Sequence, residues 1–279
     1  MSNTGFLYIV PTPIGNLKDI TQRAIEVLQS VAAIACEDTR HSRILLEHLG
    51  IQKPTFSLHD HNESQRITTV IERLESGDSL ALISDAGTPL ISDPGYKIVH
   101  ACREARLNVV SLPGPCAAIT ALAGSGLPSD SFCFKGFVPV KQQAKRQLAE
   151  TLLSESATSI FYEAPRRIVD TLSVFADVLP ENQTIVVAKE LSKTFETYRF
   201  GAARDVHTWF ADDPLRQKGE FVIMVAPAQQ QDTGISEEAQ ALMRTLLAHL
   251  PAKKAAAVVA EHYGLKKNAL YQWSLTLDK

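Results

Sequence analysis

The sequence of 279 residues predicts an α/β protein with two domains and a small helical tail. Two observations predict the α/β class. Short apolar runs alternate with segments of helical spacing, and several of these runs end in loops rich in glycine and proline. The length supports two domains, because single domains usually contain about 100–150 residues. Two successive α/β units predict a cleft between the halves.

The predicted first domain, residues 1–123, contains five short apolar runs typical of strands. They are FLYIV, AAIAC, TFSLH, SLALI and NVVSL. Apolar residues recur at helical intervals in the segments between them, where Thr21 and Asn62 are predicted N-caps and Gly50 and Gly77 are predicted helix-ending glycines. This alternation predicts a mostly parallel sheet with crossover helices.

The predicted second domain, residues 124–228, begins where GSGLPSD interrupts the first pattern. Its predicted strands are FCFKGF, ATSIFYE, TIVVAKE, FETYRFG and EFVIMVA. Helices are expected near residues 141–155 and 165–178. A polar linker, residues 229–235, then leads out of this domain.

The tail, residues 236–279, is predicted to form a helix, a glycine turn and a second helix. The first helix begins near Pro251, and Gly264 separates it from the second. The candidate phosphate contacts of the tail are Lys253, Lys254, Lys266 and Lys267. A helical hairpin that packs on the main body or on a second subunit explains the pattern equally well, so both interpretations stay open.

A net charge of −3 gives the chain no general affinity for nucleic acid, so any basic surface must be local. The run KGFVPVKQQAKR carries four basic residues and no acid. Its candidate RNA contacts are Lys141, Lys145 and Arg146, and a solvated helix start is the alternative interpretation. The sequence shows neither a signal-peptide pattern nor an apolar run of membrane length, which predicts a cytoplasmic protein without membrane contact.

The cysteines predict buried thiols in a reducing compartment rather than disulfides or a zinc site. They lie beside apolar neighbours without a CxxC pair, at Cys36, Cys102, Cys116 and Cys133. The stretch HDHN at residues 59–62 offers only two histidines and one aspartate at alternating positions, which is a poor ligand set. No metal is predicted.

The loop SDAGTPLISDPG, residues 84–95, directly follows an apolar run and is the first candidate ligand site. Asp85 stands at the carboxyl end of a predicted strand, where ligands bind in parallel α/β sheets. Gly87 is free to take a positive φ angle and to bring the backbone close to a ligand. Two pairs match an N-cap followed by proline, Thr88-Pro89 and Asp93-Pro94, and they predict that the chain enters a helix around GYKIVHACREA, residues 95–105.

Three other loops follow predicted strands. VPTPIGNLKD lacks the GxGxxG pattern, which disfavours a Rossmann phosphate site. LPGPCAA, residues 112–118, is a tight turn that either brings backbone groups to a flat ligand or is only structural. CEDTRHSR places Asp38 and Arg40 at a strand-to-helix junction, where a capping acid with a salt bridge is the favoured interpretation.

Several long motifs resemble one family in the same order along almost the whole chain. They are VPTPIGNLKDIT, CEDTRHSRILLEHLGI, ISDAGTPLISDPG, LPGPCAAITALAGSGLPSDSFCFKGFVP, FYEAPRRI and KELSKTFE. The family is that of the tetrapyrrole-methylase-like (class III) S-adenosylmethionine methyltransferases. The resemblance implies a two-domain fold with the methyl donor in the interdomain cleft, 2'-O-methylation of a cytidine in the decoding region of 16S rRNA in the small ribosomal subunit, and a homodimer.

The resemblance also implies which residues hold the donor. They are Pro13, Ser84, Asp85, Ala86, Gly87, Thr88, Pro89, Leu112, Pro113, Gly114 and Ala117. The segment from Asp85 to Thr88 departs from the Gly-Asp-Pro motif of related tetrapyrrole methylases, because its acid is shifted. Backbone contacts from Ala86 and Gly87 are therefore expected ahead of a direct contact from the Asp85 side chain.

The candidate catalytic residues are Glu163, Glu190, Lys193 and Arg40, which follow predicted strands and carry charges that suit removal of a proton from a ribose hydroxyl. Structural ion pairing is an equally good interpretation of each, and no general base is assigned. Two other functions stay open at this point. One is methylation of a tetrapyrrole or another small acceptor, and the other is a non-catalytic, ligand-sensing regulator that binds nucleic acid.

Overall fold

A computed structural model describes residues 4–59, 62–228 and 235–277. Its contacts divide the chain into two compact units, Met1–Ala228 and Gln229–Lys279. The first unit contains two five-stranded sheets, and helices form the second. The α/β class with a helical tail is therefore confirmed.

The first sheet has the strand order β3-β2-β4-β1-β5, and all of its neighbouring strands are parallel. The strands are β1 (Phe6–Ile9), β2 (Ala33–Cys36), β3 (Thr55–Ser57), β4 (Leu80–Ile83) and β5 (Asn108–Ser111). The helices are α1 (Gln22–Ser30), α2 (Thr39–His48), α3 (Glu63–Glu75), α4 (Tyr96–Glu104) and α5 (Ala117–Ser125). The central strands β2 and β4 are buried throughout, as expected for a parallel sheet covered on both faces.

Helix ends in this half follow local sequence chemistry with some exceptions. Thr21 caps α1 by accepting a 3.1 Å hydrogen bond from the Ala24 amide, and Gly50 and Gly77 follow α2 and α3 with positive φ angles. Asn62 precedes α3 as predicted, but its side chain accepts from the His59 amide instead of capping the helix.

The helix predicted around residues 95–105 is confirmed, although its N-cap is Gly95 rather than a residue of either proline pair. Helix α4 begins at Tyr96, after Gly95 with a φ angle of 130°. The Thr88 hydroxyl donates to the Pro115 carbonyl at 2.8 Å, so this side chain joins two loops rather than capping a helix.

The second sheet has the order β6-β7-β10-β8-β9, in which only β6 and β7 run parallel. The strands are β6 (Phe132–Phe137), β7 (Thr158–Glu163), β8 (Thr184–Lys189), β9 (Thr197–Ala202) and β10 (Phe221–Val225). The helices are α6 (Gln142–Thr151), α7 (Ile168–Val178) and α8 (Ala203–Ala211). They share an apolar core with one face of this sheet, and α5 shares a core with the other face.

Helix α5 therefore follows the first sheet in the chain but packs against the second. The predicted boundary between residues 123 and 124 falls inside this helix and stays a prediction. The second unit contains α9 (Glu237–Leu247), α10 (Ala252–Tyr263) and α11 (Lys267–Ser274), with Gly264 in the left-handed conformation between the last two. Residues 229–234 of the predicted linker lie outside the described residues.

The cysteines are less uniformly buried than predicted. Cys36 and Cys102 are buried, and burial raises the pKa of both thiols. Cys116 is half-buried and Cys133 is exposed, because it lies at the start of the edge strand β6. Within the described ranges, no helix is both long enough and apolar enough to cross a membrane.

Candidate active site

A cavity of about 280 Å³ lies between the two sheets of the first unit. The loop after β4 and the start of α5 form one side, which we call the first wall. The ends of β6, β7 and β10 form the second wall. This position at the carboxyl ends of β4 and β7 agrees with the rule that open α/β sheets bind ligands beyond their strand ends.

In the first wall, the loop after β4 is held in place by main-chain hydrogen bonds to the loop after β1. Gly87 has a φ angle of 82°, as predicted. Its amide donates to the Thr12 carbonyl at 3.0 Å, and its carbonyl accepts from the Thr12 amide at 2.9 Å and from the Ser84 hydroxyl at 3.1 Å. Because these groups are engaged, Gly87 contributes close approach of its backbone rather than an unpaired amide.

The structure brings together some of the predicted donor contacts. Those that line the cavity are Asp85, Ala86, Gly87, Thr88 and Ala117. Ser84 and Leu112 are buried and do not belong to the described lining, and Gly114 lines a second depression with Asp19 and Ser192. Among the described residues, the lining does not include Pro13, Pro89 or Pro113.

The second wall is built from side chains around Tyr162. The Tyr162 hydroxyl accepts a 3.2 Å hydrogen bond from the Ala118 amide in the first turn of α5. Burial, together with the nearby Cys116, raises the pKa of this phenol well above its usual range. Its ring makes edge-to-face contacts with Phe134 and Phe137, at centroid distances of 4.8 and 5.6 Å.

Glu163 lines the cavity, but its carboxylate is fully occupied. One oxygen lies 2.6 Å from the Arg167 guanidinium and accepts from the Ala164 amide at 2.7 Å. The other accepts from the Thr171 hydroxyl at 2.5 Å. The side chain has no exposed surface, so these contacts fit structural ion pairing better than proton transfer.

Glu190 and Lys193 belong to an ion-pair network at the edge of the cavity. The Lys193 ammonium lies 2.8 Å from Glu190 and 3.0 Å from Glu220, and Glu220 is a lining residue. Burial is the largest influence and disfavours the charged form of both groups, but their mutual hydrogen bond, the hydrogen bonds with Glu220 and the neighbouring opposite charges together outweigh it. The pKa of Glu190 is therefore lowered and that of Lys193 is raised.

This network also joins the second wall to the loop after β1. A Cβ atom on Gly15 would lie 2.5 Å from the Lys193 Cγ, and the Ser192 hydroxyl donates to Asp19. Glu190 and Ser192 both have positive φ angles, of 53° and 67°. Such conformations cost about 1–3 kcal/mol each and cluster at ligand sites.

Arg40 lies apart from the cavity lining, and its side chain is 87% exposed. It pairs with Asp38 at 3.0 Å, while Asp38 caps α2 by accepting from the Arg40 amide at 2.8 Å. Hydrogen bonds from Arg40 lower the pKa of Asp38 to about 2. The structure thus shows the favoured interpretation of this stretch, a capping acid with a salt bridge.

The prediction that Lys145 contacts RNA requires correction. Its side chain is fully buried and donates to Asp170, and this hydrogen bond lowers the pKa of the aspartate. Its charge is therefore used inside the protein. Lys141 and Arg146 are exposed, although Arg146 lies 3.5 Å from Glu150.

All four candidate lysines of the tail are exposed, while Ala255, Val259 and Leu270 contribute to its small core. The tail therefore has cations available for phosphates. In the part of the chain that the structure describes, no group of three or more His, Cys, Asp or Glu side chains is arranged to hold a metal ion. Asp60 and His61 of the HDHN stretch lie outside the described residues.

Sequence reasoning missed several lining residues, namely Ile91, Phe137, Tyr162 and Glu220. Ile91, Phe137 and Tyr162 lie within the family-like motifs, and Glu220 begins the predicted strand EFVIMVA. No spacing indicates which of these side chains turn toward the cavity. For Phe137, the register of β6 against β7 shows that the side chain faces the cavity, and this register is not visible in the sequence.

Comparisons with known proteins match this architecture. Residues 6–207 match the family model "Tetrapyrrole (Corrin/Porphyrin) Methylases", and residues 233–278 match "RsmI C-terminal HTH domain". Proteins named "Ribosomal RNA small subunit methyltransferase I" are similar over nearly the full length. The Haemophilus influenzae protein is 53% identical, over 98% of this chain and 97% of its own, and the Vibrio cholerae protein is 54% identical, over 96% and 94%.

Solved structures support the fold at much lower identity. The uroporphyrin-III-C-methyltransferase from Thermus thermophilus aligns with a TM-score of 0.54 and 18% identity, over 80% of this chain and 95% of its own. Diphthine synthase aligns with a TM-score of 0.58 and 14% identity, over 80% and 90%. At such identities these neighbours support the architecture alone.

Proposed function

Because the chain belongs to the tetrapyrrole methylase family, and within it to the proteins named ribosomal RNA small subunit methyltransferase I, we propose that it methylates ribosomal RNA of the small subunit with S-adenosylmethionine as the donor. One observation carries this proposal. Identity of about half the residues with those relatives extends over almost the whole chain, and a separate match covers the tail.

In its finer form, the proposal is transfer to the ribose 2'-hydroxyl of a cytidine in 16S rRNA by a homodimer in the cytoplasm. The exposed tail lysines and Lys141 support a polyanionic acceptor, because phosphate contacts dominate the affinity of proteins for nucleic acid. A small tetrapyrrole acceptor needs neither feature. The solved tetrapyrrole methylases resemble this chain in fold only, so they do not favour that alternative.

The cavity fits the donor. Its volume, about 280 Å³, lies near the lower end of small-molecule sites, and its lining combines apolar groups with a few polar ones. A Cβ atom on Gly87 would lie 3.3 Å from Ile14 Cγ2, so the glycine keeps space open at this wall. Asp85, Thr88 and Ala117 would hold the donor beside it, and the donor supplies an electrophilic methyl group on sulfur.

The contribution of this chain is chiefly positioning. Displacement at a methyl carbon requires the attacking oxygen, the carbon and the sulfur in line, and such alignment supplies much of a rate enhancement. Each wall is held by its own contacts, between Thr12 and Gly87 at the first wall and between Lys193 and Glu220 at the second. Glu163 pairs with Arg167 and accepts hydrogen bonds from Ala164 and Thr171, so it is not assigned as the acceptor of the ribose proton.

A comparison of acceptors, which we call the acceptor competition, tests the proposal. In separate samples at equal acceptor concentration, the protein is incubated with methyl-labelled donor and with free 16S rRNA, assembled small subunits or a porphyrinogen. We expect label in RNA, in one or both RNA samples, and none in the porphyrinogen. Label in the porphyrinogen alone contradicts the proposal.

Deletion of residues 236–279 tests whether the tail contributes to RNA methylation. We expect nearly unchanged donor binding and reduced methylation of RNA, because the tail carries exposed cations, whereas the described cavity lining lies within residues 14–222. Equal activity of the truncated protein on RNA would assign the tail a structural role.

A further inference from the structure

The edge strand β6 contains an irregularity that turns one aromatic side chain. Phe134 pairs with Ile160 and Phe137 pairs with Tyr162, so β6 uses three residue steps where β7 uses two. Gly136, inside the extra step, has a φ angle of 71°. This is a β-bulge, a feature that re-aims side chains next to active sites.

The bulge changes the face on which Phe137 lies. In a regular strand, residues three positions apart point to opposite faces of the sheet. Here Phe134 and Phe137 contact the same Tyr162 ring, at centroid distances of 4.8 and 5.6 Å. The extra residue has therefore moved Phe137 to the cavity side instead of the side covered by α6 and α7.

Phe137 gains little burial from this position. It lines the cavity, yet 55% of its surface is exposed. Of the described lining residues, Ile91 on the first wall is the other large apolar side chain that remains exposed, at 37%. An exposed aromatic ring with an apolar side chain on the opposite wall suits a flat ligand that binds from solvent.

We infer that Phe137 is the stacking platform for a nucleobase of the acceptor RNA at the entrance of the cavity. This inference rests on the proposed function and names a subsite for its substrate. Base stacking on an aromatic side chain tolerates any base and is the usual way proteins hold unpaired RNA bases.

The nearby cation Lys141 favours a base of the acceptor RNA, rather than the adenine of the donor, as the partner of the Phe137 ring. Lys141 follows Phe137 by four residues, so the two Cα atoms are at most about 14 Å apart. The Lys141 side chain is exposed. Lys141 precedes α6 at the N-cap position, but its ammonium group can only donate and so makes no capping hydrogen bond to the helix amides. A strand with one base on Phe137 therefore has phosphates within reach of this cation.

The test compares Phe137→Leu, which removes the ring, with Phe137→Trp, which keeps a stacking surface. Phe132→Leu is the matched control, because Phe132 is an exposed phenylalanine on the same strand and is absent from the described lining. We expect Phe137→Leu to weaken RNA binding by about 5- to 150-fold, the range for loss of one stacked base. The RNA affinity of Phe137→Trp and of Phe132→Leu should stay within about twofold of the wild-type affinity, because both variants keep an aromatic ring at position 137.

Binding of S-adenosylhomocysteine, measured by calorimetry, separates the two sources of a nucleobase. We expect all three variants to bind it like the wild type. We also expect an RNA fragment, but not S-adenosylhomocysteine, to quench the tryptophan fluorescence added in Phe137→Trp. Loss of S-adenosylhomocysteine affinity in Phe137→Leu would assign the ring to the donor and overturn the inference.

Unchanged RNA binding in Phe137→Leu would overturn it as well. Wild-type protein that methylates no RNA in the acceptor competition would instead contradict the proposed function, and the RNA-binding measurements with Phe137→Leu do not depend on that outcome. The two failures are therefore distinguishable.

Discussion

The two walls of the cavity are built by different means. The first wall is backbone: Gly87 and Thr12 exchange main-chain hydrogen bonds, and the loop follows a strand of a fully parallel sheet. The second wall is side chains, with Glu163 and Arg167 paired beside Tyr162 on a mixed sheet. The first wall should therefore be sensitive to added atoms, and the second to lost charges and rings.

The largest effect is expected on the second wall, in Glu163→Gln. The substitution leaves the largely buried Arg167 without its counter-charge, and breaking such a pair costs about 3–5 kcal/mol of unfolding free energy. Urea unfolding measures this loss. Glu150→Gln is the control, because Glu150 and Arg146 are exposed and such pairs contribute about 0–1 kcal/mol. Normal stability with abolished methyl transfer would instead make Glu163 a catalytic residue.

On the first wall, Gly87→Val should weaken binding of S-adenosylhomocysteine by about tenfold or more. A β-branched residue at positive φ is strained by about 1–3 kcal/mol, and its side chain enters the donor space near Ile14. Calorimetry gives the affinity, and thermal unfolding shows that the variant is folded.

Gly50→Val is the matched control for that experiment. Gly50 has a similar φ angle of 67° and no atom within 4 Å of an added Cβ, and it ends α2 rather than lining the cavity. We expect a similar loss of stability with unchanged donor affinity. Equal donor affinity in Gly87→Val and Gly50→Val would remove the first wall from the donor site.

A smaller effect, about 1 kcal/mol, is expected from Lys193→Ala at neutral pH, because it breaks a partly exposed pair. The folded-state pKa of Glu190 is lowered, so the stability from this pair is present above the unfolded value near 4.5 and is lost as the pH falls through the folded value. Lys193 has a raised pKa, so its contribution is lost only above about 10.5.

The unfolding free energy of the wild type and of Lys193→Ala, measured at pH 7 and at decreasing pH below 4.5, tests this sign. We expect the difference between the two proteins to shrink with acid. A difference that stays constant or grows would contradict the ion-pair account of the second wall.

The smallest effect is expected outside both walls, in Lys141→Ala. Losing one phosphate contact should weaken RNA binding several-fold at low salt and reduce the slope of log affinity against log salt by about 0.7–0.9. Filter binding at several salt concentrations measures this change. An identical salt slope in Lys141→Ala and the wild type would exclude Lys141 as a phosphate contact.

Lys145→Ala should instead destabilise the fold, since it removes the buried cation that pairs with Asp170.

The same contrast explains what the sequence could predict. Strands β2 and β4 were predictable because buried parallel strands are short continuous apolar runs, and Gly87 was predictable because a glycine after such a run permits positive φ. These are local properties. The loop from Asp85 to Thr88 therefore emerges as a ligand site before any tertiary contact is known.

The second wall depends on contacts between distant residues. The burial of Lys145 follows from its pairing with Asp170, 25 residues away, which helix spacing alone does not indicate. Phe137 faces the cavity only because of the register between β6 and β7. Glu220 approaches Lys193 across 27 residues. Charged residues at strand ends were thus correctly located in the chain, but their roles depended on partners that local patterns do not specify.

The position of the transferred methyl group tests the central claim most directly. After reaction with small subunits or 16S rRNA, the RNA is digested and its nucleosides are analysed by mass spectrometry, and a parallel sample is exposed to alkali. A 2'-O-methyl group removes the hydroxyl that attacks the neighbouring phosphate. The account predicts one alkali-resistant linkage and a cytidine whose extra mass lies on the sugar. Extra mass on the base would contradict it.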